Sequence, residues 1–572
     1  MSIVIRIDRR ELTANFEAVP DEWERLGGRA ITSDLISREV DATCDPLGPG
    51  NKLVIAPGLL SGTTAPCSGR ISVGAKSPLT GGIKESNAGG TAARAMARLG
   101  IKALVIENVP AKKELQILYV CKDGVGFYSA AEIAGKGTYE SMAALRQRFG
   151  TKCAILCIGQ AGERLMHAAS IAINTTEGYP SRHCGRGGMG AVMGSKGLKA
   201  IVFDDANVEK EIHNCRPEDP DAFSTFSKEW AKNLIDTKKI LTRFGTSFLV
   251  DAVNRLGAIP TRNYSTGQFD RVQGISSETL ESTVLSRGGR MGHPCMPGCV
   301  IRCSNIYHDA EGNYLTSGLE YETIALMGSN LDIDDYDFIA TMDRMCDDFG
   351  VDTMEIGTAL GTAMEAGLIP FGDKEKAMDL LRQLGDGTPL GAVLGQGAAT
   401  FGENAGCTRI PGAKGQALAA YDPRAFKGNG VTYATSPMGG DHTAGNMLAG
   451  RGKWRGVEDT LQSEGQIEAS IDVQLMTTVL DSLGFCIFTG PVPETMDRIG
   501  TILTAVFGET ILPEDLLSMG RKTLETEVAF NIRAGLGMNT NRISEFFYHE
   551  PLAPNNTVFD VDRKRLETKF HY

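Results

Sequence analysis

The stretch His293-Pro-Cys-Met-Pro-Gly-Cys-Val-Ile-Arg-Cys303 sets Cys295, Cys299 and Cys303 at four-residue intervals. Pro294 and Pro297 argue against a core helix, because each removes a backbone donor and disfavours helix in the residue before it. The segment reads as an irregular loop whose thiols are spaced to converge. Thiolates prefer soft metal centres, and such a centre fixes an otherwise floppy loop. Three ligands leave a fourth to be found elsewhere.

The surrounding chain is long and acidic. Its 572 residues are 42% hydrophobic and 22% charged, an ordinary globular composition. Such a length predicts three or four domains of ~150 residues each. A net charge of −12 argues against nucleic acid and anionic membranes, but not against a small acidic partner protein. No apolar run approaches the ~18 residues of a spanning helix. The opening Met1-Ser-Ile-Val-Ile-Arg-Ile-Asp8 alternates like a strand, and Arg9-Arg10 is followed by Glu11 rather than an apolar run, so no export signal is read there. The 13 cysteines then read as reduced thiols and metal ligands, and the expected compartment is the cytoplasm.

Residues 1–210 predict a β-rich domain. Apolar β-branched runs recur at 52–56, 103–106, 115–120, 154–156 and 200–203, separated by Gly and Pro. Cys153 and Cys157 bracket one run and read as buried hydrophobes. Glycine accounts for 68 residues, well above the typical ~7%. Two glycine-rich stretches, Lys76 to Thr91 and Arg182 to Lys196, suit the presentation of backbone N–H groups to phosphate. Gly185-x-Gly187-x-x-Gly190 with Asp204 matches the dinucleotide fingerprint in form. That fingerprint follows a buried strand, whereas the polar Thr175–Ser181 stretch precedes it here, which argues against a Rossmann fold. The polar, proline-bearing 204–222 segment marks a first boundary, and a loop-rich 401–441 stretch places a second near 410. Residues 335–349 have helical periodicity ending on Gly350. The last 25 residues read as an irregular tail.

Two segments of the helical half echo each other: Asp347-Asp-Phe-Gly-Val-Asp352 and Asp481-Ser-Leu-Gly-Phe-Cys486. Either alone reads equally well as a helix ending on glycine, with Asp352 and Glu355 as the N-cap box of the next helix. As a pair they suggest two equivalent sites, each aiming a carboxylate at a row of N–H donors such as a pterin edge. The second copy ends in Cys486, the natural fourth ligand for the cysteine loop.

These motifs, with Gly27-Gly-Arg29, Ser68-Gly-Arg70, Ser86-Asn-Ala-Gly-Gly90, Glu320-Tyr-Glu-Thr323, Tyr433-Ala-Thr-Ser436 and Gly440-Asp-His442, run in order along nearly the whole chain. They resemble the aldehyde:ferredoxin oxidoreductase family of tungsten, sometimes molybdenum, bis-pterin enzymes. The resemblance implies an α+β fold: a β-rich pterin-binding domain (1–210), then two mainly α-helical domains (211–410 and 411–572), with the cofactor at their interface. It implies that Arg70, Asn87 and Arg182 contact the pterin phosphates or a bridging Mg2+. His183, Gly185, Arg186, Gly187 and Gly188 would form the phosphate loop, with His183 lending its backbone rather than its ring. Asp347, Gly350, Asp352, Asp481, Gly484 and Phe485 would surround the pterin rings. Cys295, Cys299, Cys303 and Cys486 would bind a [4Fe–4S] cluster. The chain departs from the family in the residue added between Cys295 and Cys299, and in Val351 and Phe485 where Leu is common. It has no Glu-x-x-His for a subunit-bridging metal, which leaves a homodimer open.

Aldehyde oxidation adds a water oxygen and removes two electrons and two protons, so it needs a group that polarises the carbonyl and a base. His442 and Glu322 are the candidates, with Glu320 competing as the base. Electrons would leave through the cluster to ferredoxin or a similar carrier. The same cofactors could instead reduce an activated acid or aromatic thioester. A remoter alternative makes the cysteine loop a structural zinc site in a binding module.

Overall fold

The computed structural model describes residues 2–208, 214–447 and 459–572, so the boundary expected at 210/211 lies outside the described residues. Strands form where the β-branched runs predict them, at Leu53–Pro57, Ile101–Glu107, Gln116–Cys121, Ala154–Cys157 and Leu198–Asp204. Leu53–Pro57 and Ala154–Cys157 are buried throughout, as strands covered on both faces must be.

These strands belong to two six-stranded sheets of one design. The first runs Thr13–Ala18, Ile3–Asp8, Ile101–Glu107, Leu53–Pro57, Ile71–Lys76, Ile83–Ala88. The second runs Gly124–Ser129, Gln116–Cys121, Leu198–Asp204, Ala154–Cys157, Ile171–Ile173, Arg182–Cys184. Each has one parallel pair, at Ile3–Asp8 with Ile101–Glu107 and at Gln116–Cys121 with Leu198–Asp204; the other pairs are antiparallel. The order strand, strand, helix, three strands, helix, strand thus occurs twice, with one extra short helix in the second copy. One face of each sheet shares a core with the short helices Ala92–Arg98 and Met189–Ser195. Helices Gly28–Glu39 and Thr138–Phe149 cover the other faces, a layered solution to burying two apolar sheet faces. Cys153 and Cys157 are buried in the second of these outer cores.

The two glycine-rich stretches occupy equivalent places in the duplicated design, each including the last antiparallel strand and leading to or through the short helix that follows it. Contrary to the reading from sequence, a strand does precede Gly185. It is Arg182–Cys184, antiparallel to its neighbour, so no parallel strand–helix–strand unit of the dinucleotide type is built there.

Helices dominate after residue 214, apart from a three-stranded antiparallel sheet of Arg290–His293, Ser304–His308 and Tyr314–Ser317. The cysteine loop joins its first two strands. Helix Tyr336–Phe349 ends on Gly350 (φ 74°) and helix Gln466–Leu483 on Gly484 (φ 87°), both left-handed. The two echoing motifs dock on the N-terminal domain in matching ways. Helix Thr138–Phe149 packs on the first and Gly28–Glu39 on the second. The Ser170 N–H donates to Gly350 O at 2.8 Å, and the Arg70 N–H to Gly484 O at 3.1 Å. A Cβ at Gly58 would lie 2.1 Å from the Gly484 Cα, and one at Gly159 would lie 2.2 Å from Phe349 O, so both contacts need glycine. The expected boundary near 410 falls between helix Ala398–Asn404 and the Gly412–Ala413 strand, and one core cluster includes residues on both sides of it, among them Leu384 and Phe547. The C-terminal segment is no loose tail: it includes helix Arg563–Lys569 and buries Leu552, Phe559, Leu566 and Phe570. No helix among the described residues is long and apolar enough to cross a membrane.

Candidate active site

A cavity of about 340 Å3 lies where both glycine-rich stretches, both echoing motifs and the cysteine loop meet. Of the residues expected from sequence, Arg70, Asn87, Arg182, His183, Gly185, Arg186, Cys295, Cys303, Glu322, Asp347, Asp352, His442, Asp481 and Cys486 line it. Gly187, Gly188, Gly350, Gly484, Phe485 and Cys299 stand behind this lining. The Phe485 ring packs on Trp230, with centroids 4.9 Å apart, so its side chain serves the core.

Each echoing motif aims a carboxylate at the cavity and backs it with a cation or donor. Arg29 grips Glu527 in two hydrogen bonds of 2.9 and 2.8 Å and reaches Asp481 at 3.3 Å. In the other copy, Asp347 lies 3.1 Å from His183 Nε2. The same Nε2 meets Pro180 O at 2.9 Å and Nδ1 meets Ser170 Oγ at 2.8 Å, so protein groups occupy both ring nitrogens. Burial pushes the His183 pKa down to about 4, which keeps the ring neutral. Burial pushes Asp347 up to about 8; burial, then Glu85, does the same to Asp481. Asp352 accepts from the Met354 N–H at 3.0 Å and from Arg186 at 3.0 Å. Glu355 does not close a capping box; it accepts from the N–H groups of Ala398 and Ala417. Arg186 also donates to Gly440 O and Ala417 O, so it is saturated by protein and ties Asp352 to the loop that carries His442.

That loop brings His442 against Glu322, which lies in helix Tyr321–Met327. His442 Nε2 lies 3.0 Å from Glu322 Oε1, while its Nδ1 is buried without a hydrogen-bond partner. Burial opposes ionisation of Glu322, but His442 outweighs it and the carboxyl is held below its ordinary value. Asp441 is held lower still, against burial, by Lys84 at 2.7 Å, then Arg186 and His442. Glu320 also lines the cavity, where its carboxyl accepts from Thr246 Oγ1 at 2.7 Å and burial pushes its pKa up. Arg29, Lys84, Glu85 and Asp441 also line the cavity and were not singled out from sequence. Arg29, Lys84 and Asp441 lie inside quoted motifs, but their ion-pair partners are hundreds of residues away.

The residues present fit the implied cofactors. Arg70 and Arg182 are half-buried guanidiniums with no carboxylate within 4 Å among the described residues, and Arg182 Nε is buried without a partner. Arg70 donates to Asn87 Oδ1 and Arg182 donates to Ser304 Oγ. Isolated buried cations are costly, and phosphate oxygens would satisfy them. A Cβ on Gly185 would meet nothing within 4 Å, which leaves its backbone open to a ligand. The four expected cysteines interact with one another. Hydrogen bonding to Cys299, then burial, pushes the Cys295 thiol up, and burial does so for Cys303 and Cys486. Among the described residues no three His, Cys, Asp or Glu side chains converge on a single ion. Four thiols that interact with one another are the usual ligand set of an iron–sulfur cluster.

The family model described as "Aldehyde ferredoxin oxidoreductase, N-terminal domain" matches residues 4–205, and that for "domains 2 & 3" matches residues 225–569. The tungsten-containing aldehyde ferredoxin oxidoreductase of Pyrococcus furiosus is 32% identical over 559 residues, covering 94% of this chain and 89% of that protein. The Thermococcus kodakarensis protein of the same name is 32% identical over 558 residues, with the same coverage. The WOR-like subunit of an aliphatic sulfonate oxidoreductase from Pyrococcus furiosus is 24% identical over 487 residues, covering 77% and 74% of the two chains. Among solved structures, the active-site complex of benzoyl coenzyme A reductase with 1,5-dienoyl-CoA superposes with a TM-score of 0.81 at 19% identity, over 95% of this chain and 90% of that one. This likeness extends the shared fold. On these matches, the chain is an oxidoreductase that belongs to the aldehyde ferredoxin oxidoreductase family.

Proposed function

We propose that the protein oxidises aldehydes to carboxylic acids with a tungsten or molybdenum bis-pterin centre held in this cavity. Electrons leave through a [4Fe–4S] cluster on Cys295, Cys299, Cys303 and Cys486 to ferredoxin or a similar carrier. The observation that carries the reading is the Glu322–His442 pair, 3.0 Å apart, in a cavity flanked by two matched carboxylate motifs and these thiols. Aldehyde is favoured as substrate because the relatives named for it match 94% of the chain at 32% identity, against 77% at 24% for the sulfonate enzyme.

Asp347 and Asp481 would accept hydrogen bonds from the two pterin rings, while Arg70, Asn87 and Arg182 meet the phosphates. A Mg2+ accompanying those phosphates would lie at the same residues. When bound, the metal centre supplies the acceptor for the two substrate electrons. Glu322 takes the proton from the attacking water or gem-diol. His442, with Nε2 turned to Glu322, would polarise the carbonyl through Nδ1 when the ring carries a proton there. All thirteen cysteines are free thiols, in keeping with work in the reducing cytoplasm.

A viologen-linked assay of the fully metallated protein over a panel of aldehydes tests the reading. Reduction of the dye with at least one aldehyde is expected. Turnover with none of them, or only with activated acids or aromatic thioesters, would remove the aldehyde assignment.

A further inference from the structure

The lengthened interval between Cys295 and Cys299 meets the segment that carries a further thiol, Cys67. Cys67 is fully buried in the same core as Met296, Cys303 and Cys486. Its N–H donates to the carbonyl of Gly298, within the lengthened interval, at 3.0 Å. Its own carbonyl accepts from the Cys486 N–H at 2.9 Å, and its thiol lies in the core against which Cys295 and Cys299 pack. Cys67 thus links both ligand-bearing segments. It does so at φ 58°, a conformation that residues other than glycine keep only where their surroundings over-determine it.

The duplicated fold supplies an internal control. In the other half the matching bridge runs from the Asp352 N–H to the carbonyl of Ala168, at 3.0 Å. Alanine suffices there. The backbone bridge therefore needs no sulfur, and the thiol at position 67 accompanies the change from Asp352 to Cys486 and the longer interval beside it.

We propose that Cys67 is a fifth thiol of the iron–sulfur site, a positioning residue that donates its S–H to the Cys299 sulfur and raises the reduction potential of the cluster. The inference rests on the four-cysteine cluster of the proposed function. Hydrogen bonds to cluster sulfurs are among the factors that set the potential, and a donor favours the reduced, more negative state.

The test compares wild-type, C67A and C67S holoenzymes by iron content and by a redox titration of the cluster followed by electron paramagnetic resonance. C67A keeps its iron and titrates at a more negative potential; C67S, with a hydroxyl donor restored, returns toward wild type. An unshifted C67A, or a C67S that shifts as far as C67A, overturns the donor role. Loss of iron from C67A would make Cys67 a ligand and overturn the inference in that way. A wild-type holoenzyme without a cluster overturns the four-cysteine reading itself, whereas the variant outcomes bear on Cys67 alone.

Discussion

Glu320 and Glu322 are two residues apart in sequence, and local backbone geometry separates their roles. Glu320 is the N-cap of helix Tyr321–Met327 in extended conformation, and its side chain is taken by Thr246. Glu322 lies in the first turn, where its carboxylate meets His442. Glu322→Gln is expected to lower kcat by a factor on the order of 10²–10⁴, the usual contribution of a general base, with KM little changed. Glu320→Gln should have the smaller effect, and steady-state kinetics on both variants decides between them. His442→Asn should cut turnover while both cofactors stay bound; unchanged turnover would remove His442 from the mechanism. Asp347 carries a pH dependence of its own. Its folded pKa is raised to about 8 from an ordinary 3.8, so the folded state holds a proton that the unfolded state releases between those values. This group's contribution to stability is therefore undiminished at low pH and falls as pH rises from about 4 toward about 8. In cofactor-free protein, Asp347→Asn should raise Tm more at pH 8 than at pH 5, and thermal melts at both values check the sign. The sequence reveals the chemistry-bearing residues through their local motifs. It hides Arg29, which meets Asp481 and Glu527 across more than 450 residues, because ion pairing leaves no pattern in either partner's neighbourhood.

At the scale of elements, the echoing motifs are readable because a helix that ends on glycine is a local event. A left-handed C′ residue and a polar neighbour suffice to mark it. The duplication of the two sheets is not readable in the same way. Alternation of apolar residues identifies strands without saying which pair, and both copies bury nearly every position of their central strands. What betrays the duplication is backbone contact: Gly58 against Gly484 in one half and Gly159 against Phe349 in the other. Gly484→Ala would force a side chain to φ 87°, with its Cβ 2.7 Å from Ser61 Oγ and 2.9 Å from Ser68 O. The left-handed conformation alone costs roughly 1–2 kcal/mol, so a lower Tm and poorer cofactor retention are expected. Gly185→Ala is the contrasting case. Its Cβ meets nothing within 4 Å, so cofactor-free protein should melt near wild type while metal and pterin content falls. Equal pterin content in that variant would argue that the Gly185 backbone does not face the cofactor.

For the whole molecule, the α+β order was legible from the shift of periodicity near residue 204, since sheets and helices repeat at different intervals. The C-terminal segment reads as a loose tail because a proline-bearing, irregular path carries no periodicity, yet a few apolar side chains, here Leu552, Phe559 and Phe570, anchor it. Long-range contacts of this kind bring residues 29, 84, 186, 322, 442 and 481 around one cavity. The cysteine loop and Cys486, more than 180 positions apart, close one side of it. The central claim is that this convergence builds a bis-pterin centre wired to a four-cysteine cluster. It is tested most directly by metal analysis of purified wild-type and Cys486→Ala protein. Wild type should hold about four irons and about one tungsten or molybdenum per chain, and Cys486→Ala should lose cluster iron. Zinc without iron in the wild type, or a full iron complement in Cys486→Ala, would contradict the account.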